Sequence, residues 1–255
     1  MDFFDSHAHL TSPDLLPYLP SLLERAKEAH VSHIVNICTD EESLRTGLEW
    51  AKKQPQLYTA GATPPHDVEE KGDKEFPLFA EAAKKKELLA IGETGLDYYS
   101  VSTPKAIQEK FLVRYLHLAK ETQLPLLFHC RNAFADLFTI VSQEYSGPAL
   151  IHCFTGSLQE AETALQLGWH LSFSGIITFK KSEELRKVVK EVPLSRILLE
   201  TDAPYLAPQS HRGHLNEPSF LPETAHCIAE VKGVSIEEVA AVTSFNAKHF
   251  FKIDL

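Results

Sequence analysis

No stretch of this chain comes near the ~20 consecutive apolar residues that a bilayer-spanning helix needs, so no transmembrane segment is expected. The opening MDFFDSHAHL has neither a basic n-region nor a cleavage site, and a secretory signal is not expected either. Cysteine is sparse. Cys38, Cys130, Cys153 and Cys227 are scattered without a CxxC pair, which speaks for reduced thiols in a cytoplasmic setting and against a disulfide framework. Positive charge is also short: 25 Lys and Arg against 35 Asp and Glu leave a net charge of −10. That disfavours broad electrostatic adhesion to nucleic acid or to an anionic membrane. It does not exclude a phosphate substrate, because two bound divalent ions would supply about four positive charges at the site itself. Internal repeats, low-complexity tracts and linkers are absent, so residues 1–255 are expected to form one domain.

What is present is a regular alternation. Short runs rich in Val, Ile, Leu and Phe fall at residues 2–7, 33–38, 57–62, 88–93, 124–129, 148–153, 170–174 and 196–201. Near-continuous apolar runs of this kind suit parallel strands covered on both faces. Between them lie segments with helical periodicity, among them SLLERAKEAH, IQEKFLVRYLHLAKE and EELRKVVKEV. Eight strands alternating with helices predict a single α/β domain, a (β/α)8 TIM-type barrel, and the length suits one such barrel. A helix near 220–231 and an extra C-terminal helix near 235–250 follow the last strand. Residues 203–219 (APYLAPQSHRGHLNEPS) lack periodicity and directly follow strand eight, the position of a functional loop.

Six imidazoles and carboxylates close these apolar runs: His7 and His9 in FFDSHAHL, Glu93 in LLAIGETGLD, His129 in LPLLFHC, His152 in ALIHCF and Asp202 in RILLETD. If the runs are parallel strands, all six emerge at one rim of one sheet. His7 and His9 are two apart and leave a strand on the same face. Such groups are costly to bury unless paired or metal-bound. One catalytic ion needs about three or four ligands and an open position for water, so six groups suit two divalent ions sharing a carboxylate. Glu93, from the fourth strand, is the natural bridge; His7, His9 and Asp202 would hold one ion, His129 and His152 the other. The donor set is compatible with Zn, Mn, Fe or Mg. By strand alternation Cys130 and Cys153 should point outward and pack. Glu200, two before Asp202, shares its face and either orients a ligand or lies deeper. His66, His211 and His214 could line the site or be solvated loop histidines.

These motifs, with FHCRNAFAD, HCFTGS, FSGIITFKK, LLETDAPYLAP and RGHLNEP, resemble the TatD family of metal-dependent deoxyribonucleases over essentially the whole length. The resemblance implies a TIM-type barrel of the amidohydrolase-like group, two divalent ions (Mg, Mn or Zn), and hydrolysis of DNA phosphodiester bonds with 3′→5′ exonuclease activity. Its ligands fall on His7, His9, Glu93, His129, His152 and Asp202. One position departs from the family: a Gly-x-His-Pro motif is usual after the third strand, and here Thr63 stands in place of its histidine, with His66 three residues later.

The catalytic expectation is metal-assisted hydrolysis, with Asp202 orienting water or accepting its proton and Glu93 bridging the ions. Arg131 and Arg212 could donate paired hydrogen bonds to a phosphate. Tyr98, Tyr99 and Tyr205 could stack on a terminal base, and His66 could touch substrate. DNA is the expected partner, a membrane is not, and a monomer is the simplest form the sequence allows. The competing reading is an amidohydrolase-type C–N or ester hydrolase, acting for instance on D-aminoacyl esters. Many such barrels bridge their ions with a carboxylated lysine from strand four, where this chain has Glu93. A third reading, a partner-binding barrel with a vestigial metal site, is favoured only by Thr63 and opposed by the complete ligand set.

Overall fold

A strand buried on both faces must be apolar along its whole length, and the runs above behave accordingly. In the computed structural model, which describes residues 1–99 and 103–253, they become β1 (Phe3–Ala8), β2 (Val31–Cys38), β3 (Leu57–Gly61), β4 (Ala90–Asp97), β5 (Leu126–Arg131), β6 (Ala149–Ile151), β7 (His170–Phe173) and β8 (Ile197–Leu199). Adjacent strands pair in parallel, in sequence order, as one eight-stranded sheet. The helices between them are α1 (Leu19–Glu28), α2 (Glu41–Ala51), α3 (Gly72–Lys84), α4 (Lys105–Thr122), α5 (Phe134–Glu144), α6 (Leu158–Gln166) and α7 (Glu183–Glu191). Then come α8 (Leu221–Lys232) and α9 (Ile236–Phe251). No helix among the described residues is long and apolar enough to cross a membrane. The predicted barrel with its extra C-terminal helix is the observed fold.

The sheet nearly closes on itself between β1 and β8. Asp202 N donates to His7 O at 2.9 Å and His9 N to Ala203 O at 2.7 Å. Side chains reinforce the seam: Ser6 Oγ donates to Leu199 O at 2.9 Å, while Asp5 accepts Thr201 N at 2.9 Å and Thr201 Oγ1 at 2.6 Å. The lower half of the barrel is filled by Phe4, Val35, Ile37, Ala60, Ala90, Leu127, Leu150 and Leu198, and α9 seals it with Ala247, Phe250 and Phe251. α9 therefore caps the end where strands begin, leaving the opposite rim open. The larger apolar layer lies between the strands and the surrounding helices.

Local chemistry sets the helix starts at the open rim. Asp40 accepts Ser43 N at 2.8 Å and begins α2 with a capping box, and Ser157 with Glu160 does the same for α6. The non-periodic stretch 203–219 is a packed loop: Asn216 Nδ2 donates to Thr201 O and to Tyr205 O, both at 2.7 Å, and Arg25 grips Glu217 with two hydrogen bonds of 2.7 and 2.6 Å.

Four strand ends lie two or more residues from the sequence expectation, and one of them is β5, which runs on past 129 to Arg131. β4 continues past residue 93 to Asp97, because Gly92 and Gly95 sit at positive φ (149° and 141°) where a β-carbon would collide with Leu127 and with the His129 backbone. β6 and β8 stop at Ile151 and Leu199, short of the predicted 153 and 201. Each is followed by a residue in the left-handed region, Cys153 (φ 44°) and Asp202 (φ 59°), so the chain has already left the sheet where the polar residues appear.

Candidate metal centre

The six sequence-selected groups converge at the open rim. Glu93 Oε2 lies 2.7 Å from His152 Nε2, 3.7 Å from His7 Nε2 and 3.7 Å from His129 Nδ1. Asp202 Oδ1 lies 3.6 Å from both His7 Nε2 and His9 Nε2. Two overlapping donor groups result, His7–Glu93–His152 and His7–His9–Asp202, with atoms close enough to hold an ion. His129 joins the first through its Nδ1, which is 3.2 Å from His152 Nε2. The rings of His7 and His152 stack with centroids 3.9 Å apart.

Irregular backbone aims these side chains. The β4–β5 register shifts between Ile91 and Thr94, so Glu93 sits in a bulge. The β1–β2 register shifts between Asp5 and Ala8, around His7. Bulges re-aim side chains beside active sites, and here two of them turn ligand-type residues inward.

The electrostatics fit a cation. Glu93, Asp202 and Glu200 are buried together with His7 and His152, and positive charge at the cluster has to come from protonated imidazoles or from metal. Burial drives the His7 imidazole well below its usual range, with His152 and His9 adding to the effect, which keeps it a neutral donor. Burial opposes ionisation of Glu93, but His152 and His129 outweigh it and hold the carboxyl well below the carboxylate range. For His152 the order is similar: burial opposes the charge, and Glu93 and Glu200 raise it well above normal. His7 Nδ1 and His152 Nδ1 are buried without a formed hydrogen bond. A dense N/O donor set with ionised carboxylate, the neutral imidazole of His7 and an open cavity suits a divalent ion.

Behind the six groups stands a supporting layer that sequence reasoning largely missed. Asp97 Oδ2 is 3.0 Å from His129 Nε2, and its Oδ1 accepts Tyr99 N at 2.9 Å. Asp5, whose carboxyl burial pushes up to about 7, accepts His7 N at 3.3 Å besides Thr201. Glu200 is fully buried, accepts a hydrogen bond from Ser172 Oγ and faces His152 Nδ1 at 3.5 Å, so of the two alternatives left for it, it is the deeper group turned toward a histidine. The available signal was a carboxylate in an apolar strand two to four residues from a ligand-type residue: Asp5 before His7, Asp97 after Glu93 and Glu200 before Asp202.

A cavity of about 880 Å³ opens over the cluster, with Arg131, His66 and Tyr205 in its wall. His66 lies with its ring centroid 6.4 Å from that of His129. Thr63 is buried below the rim instead, accepting from Tyr115 Oη at 3.1 Å. The Arg131 guanidinium covers the Tyr99 ring at 3.7 Å. Tyr98 turns away: its hydroxyl donates to Asp136 at 2.9 Å and Lys105 covers its ring at 3.8 Å. Arg212 lies over Phe179 at 4.2 Å, outside the cavity wall. His211 stacks on Phe220 and pairs with Glu223 at 2.7 Å, away from the cluster. Cys153 corrects the sequence expectation. It lines the cavity and meets Ser174 Oγ at 3.3 Å, because its left-handed backbone breaks the alternation that would have turned it outward. Cys130 is buried in the expected apolar layer but also borders the cavity.

Comparison with known proteins agrees with this geometry. The sequence profile of the family described as TatD related DNase matches residues 4–252. The metal-dependent hydrolase YabD of Bacillus subtilis is 37% identical over 253 residues, covering 98% of this chain and 99% of the relative. The 3'-5' ssDNA/RNA exonuclease TatD of Erwinia tasmaniensis is 33% identical over 259 residues, covering 98% and 100%. Among solved structures, the TatD homologue YJJV of Escherichia coli superposes with a TM-score of 0.93 at 28% identity, covering 98% of each chain. An organophosphorus hydrolase of Deinococcus radiodurans reaches a TM-score of 0.66 at 13% identity, covering 98% of this chain and 92% of that one, a likeness of fold alone.

Proposed function

This chain belongs to the TatD related DNase family of metal-dependent hydrolases, and from that premise we propose that it cuts phosphodiester bonds at the end of a DNA strand, in the 3′→5′ direction. The observation that carries the reading is the position of one carboxylate oxygen. Glu93 Oε2 stands between His7, His129 and His152, while Asp202 Oδ1 serves His7 and His9, so the six groups suit a pair of divalent ions with Glu93 between them.

When bound, such ions lower the pKa of a water ligand and neutralise charge on the phosphate. The chain's own residues supply the rest. Asp202, at the cavity floor, orients the attacking water and takes its proton on a carboxylate oxygen. Arg131, in the cavity wall, donates hydrogen bonds to non-bridging phosphate oxygens. Tyr205 is 57% exposed beside His9, where its ring can stack on a terminal base of any identity. Asp97 holds the ring of His129 in place, and Glu200 faces that of His152 from below. The four cysteines are unpaired, in keeping with a cytoplasmic setting.

End-labelled single-stranded and duplex DNA, assayed with Mg, Mn or Zn, tests the reading. Shortening of the strand is expected with at least one metal. Glu93→Ala should lose at least about a hundredfold in rate and lose bound metal by elemental analysis, with its circular dichroism unchanged. Full activity in that variant would refute the assignment of Glu93, and hydrolysis of D-aminoacyl esters without any cutting of DNA would favour the ester-hydrolase reading.

A further inference from the structure

The mouth of the barrel carries opposite charge on opposite sides. The loop after β2, the first turn of α2 and the loop after β3 present Asp40, Glu42 and Asp67 to the cavity. Glu42 is exposed, Asp40 caps α2, and Asp67 pairs with Lys71 at 2.8 Å. In an eight-membered ring β3 stands across from β7, and the loops after β7 and β8 carry Lys180, Lys181 and Arg212, all exposed. Several other cations of this acidic molecule are taken up by carboxylates, as Arg25 is by Glu217 and Arg114 by Asp73, both at 2.6 Å. Lys180, Lys181 and Arg212 form no ion pair among the described residues. The nearby carboxylates are largely engaged: Glu184 with Lys187 and Glu223 with His211, both at 2.7 Å, while Glu183 is exposed at the start of α7.

The backbone beneath these cations is fixed. Gln209 N donates to Thr178 Oγ1 at 2.8 Å and Lys180 N to Gln209 Oε1 at 3.3 Å, joining the two loops. Arg186 donates to Ile177 O at 2.9 Å and Phe179 O at 2.8 Å, and Arg212 rests on the Phe179 ring. Ile176 and Leu206, in the cavity wall, belong to the same two loops. Beyond the cavity wall this side presents unpaired cations and an aromatic ring, whereas the other side presents carboxylates.

We propose that Lys180, Lys181 and Arg212, with Phe179, form a tract that holds the phosphates of single-stranded nucleic acid beyond the bond being cut. The inference rests on the nuclease reading and extends it to substrate length. Cations interleaved with a ring suit phosphates and bases of a single strand. The acidic β2–β3 side turns the chain away, so the strand runs out in one direction.

The test combines binding with cutting. A labelled, cleavage-resistant phosphorothioate strand of about twelve nucleotides is titrated onto the metal-loaded protein at several salt concentrations. Replacing Lys180→Gln, Lys181→Gln and Arg212→Gln together should reduce the slope of log affinity against log salt by about 2, since each lost phosphate contact contributes about 0.7. In cutting assays, the preference in kcat/KM for a strand of that length over a dinucleotide should fall about tenfold. The charge-keeping variant Lys180→Arg, Lys181→Arg and Arg212→Lys should preserve both. An unchanged slope, or equal losses on long and short substrates, would overturn the tract. So would unchanged DNA binding with weakened adhesion to phosphatidylglycerol vesicles. If the unsubstituted protein cuts no DNA, the nuclease reading falls, while the binding slope still decides whether the tract exists.

Discussion

Each ligand-type histidine is defined as much by what stands behind it as by what it faces. His129 presents Nδ1 to Glu93 only because Nε2 is engaged by Asp97 at 3.0 Å. A partner of this kind fixes ring orientation and strengthens the imidazole as a donor. Asp97→Ala should therefore weaken metal binding by about 10- to 100-fold while leaving the fold intact. Competition with a chromogenic chelator would measure it, and unchanged affinity would show that the cluster alone orients His129. The same logic distinguishes Thr63 from His66. Thr63 is consumed by Tyr115 beneath the rim, and His66 reaches the cavity instead.

Among the elements, α9 bears on the site through the barrel interior, although it lies at the far end of the barrel. Its Phe250 and Phe251 share a core cluster with Phe4 of β1, Val35 and Ile37 of β2 and Leu198 of β8, and β1 and β8 lead on to His7, His9 and Asp202. The Phe250 ring also meets His170 of β7, with centroids 5.5 Å apart. Truncating a buried ring of that size costs about 3–5 kcal/mol, a large part of a typical domain's stability. Phe250→Ala should lower the urea midpoint accordingly, and a loss below about 1 kcal/mol would mean that α9 is dispensable as a seal.

At the scale of the molecule, acid stability has a traceable contributor in His170. Burial lowers its imidazole to about 4, with Arg196 and, from α9, His249 adding to the effect. The unfolded chain thus takes up a proton near the ordinary value of about 6.5 that the folded chain refuses until about pH 4. Stability follows the difference in bound protons, so this contribution is complete above pH 6.5 and is lost as pH falls from there toward 4. Melting curves at pH 7 and pH 4.5 should separate by less in His170→Asn than in the unsubstituted protein, and an identical separation would remove His170 from the account. The charge of −10 does not act as one field either, since the rim carries its acid on the β2–β3 side and free cations on the β7–β8 side.

The chain by itself determined the order of elements, the parallel barrel and the six polar groups that meet at its rim. Apolar runs of strand length and their flanking residues are local patterns, and a parallel ring brings every strand end to the same side whatever the fine geometry. The tertiary structure alone decided the rest. Bulges around His7 and Glu93 and left-handed turns at Cys153 and Asp202 depend on how neighbouring strands approach, so simple alternation misplaced Cys153. Asp5, Asp97 and Glu200 acquire their partners across gaps of 196, 32 and 28 residues, through Thr201, His129 and Ser172. The division of the mouth into an acidic and a basic side likewise arises only when loops distant in the chain face each other across the ring.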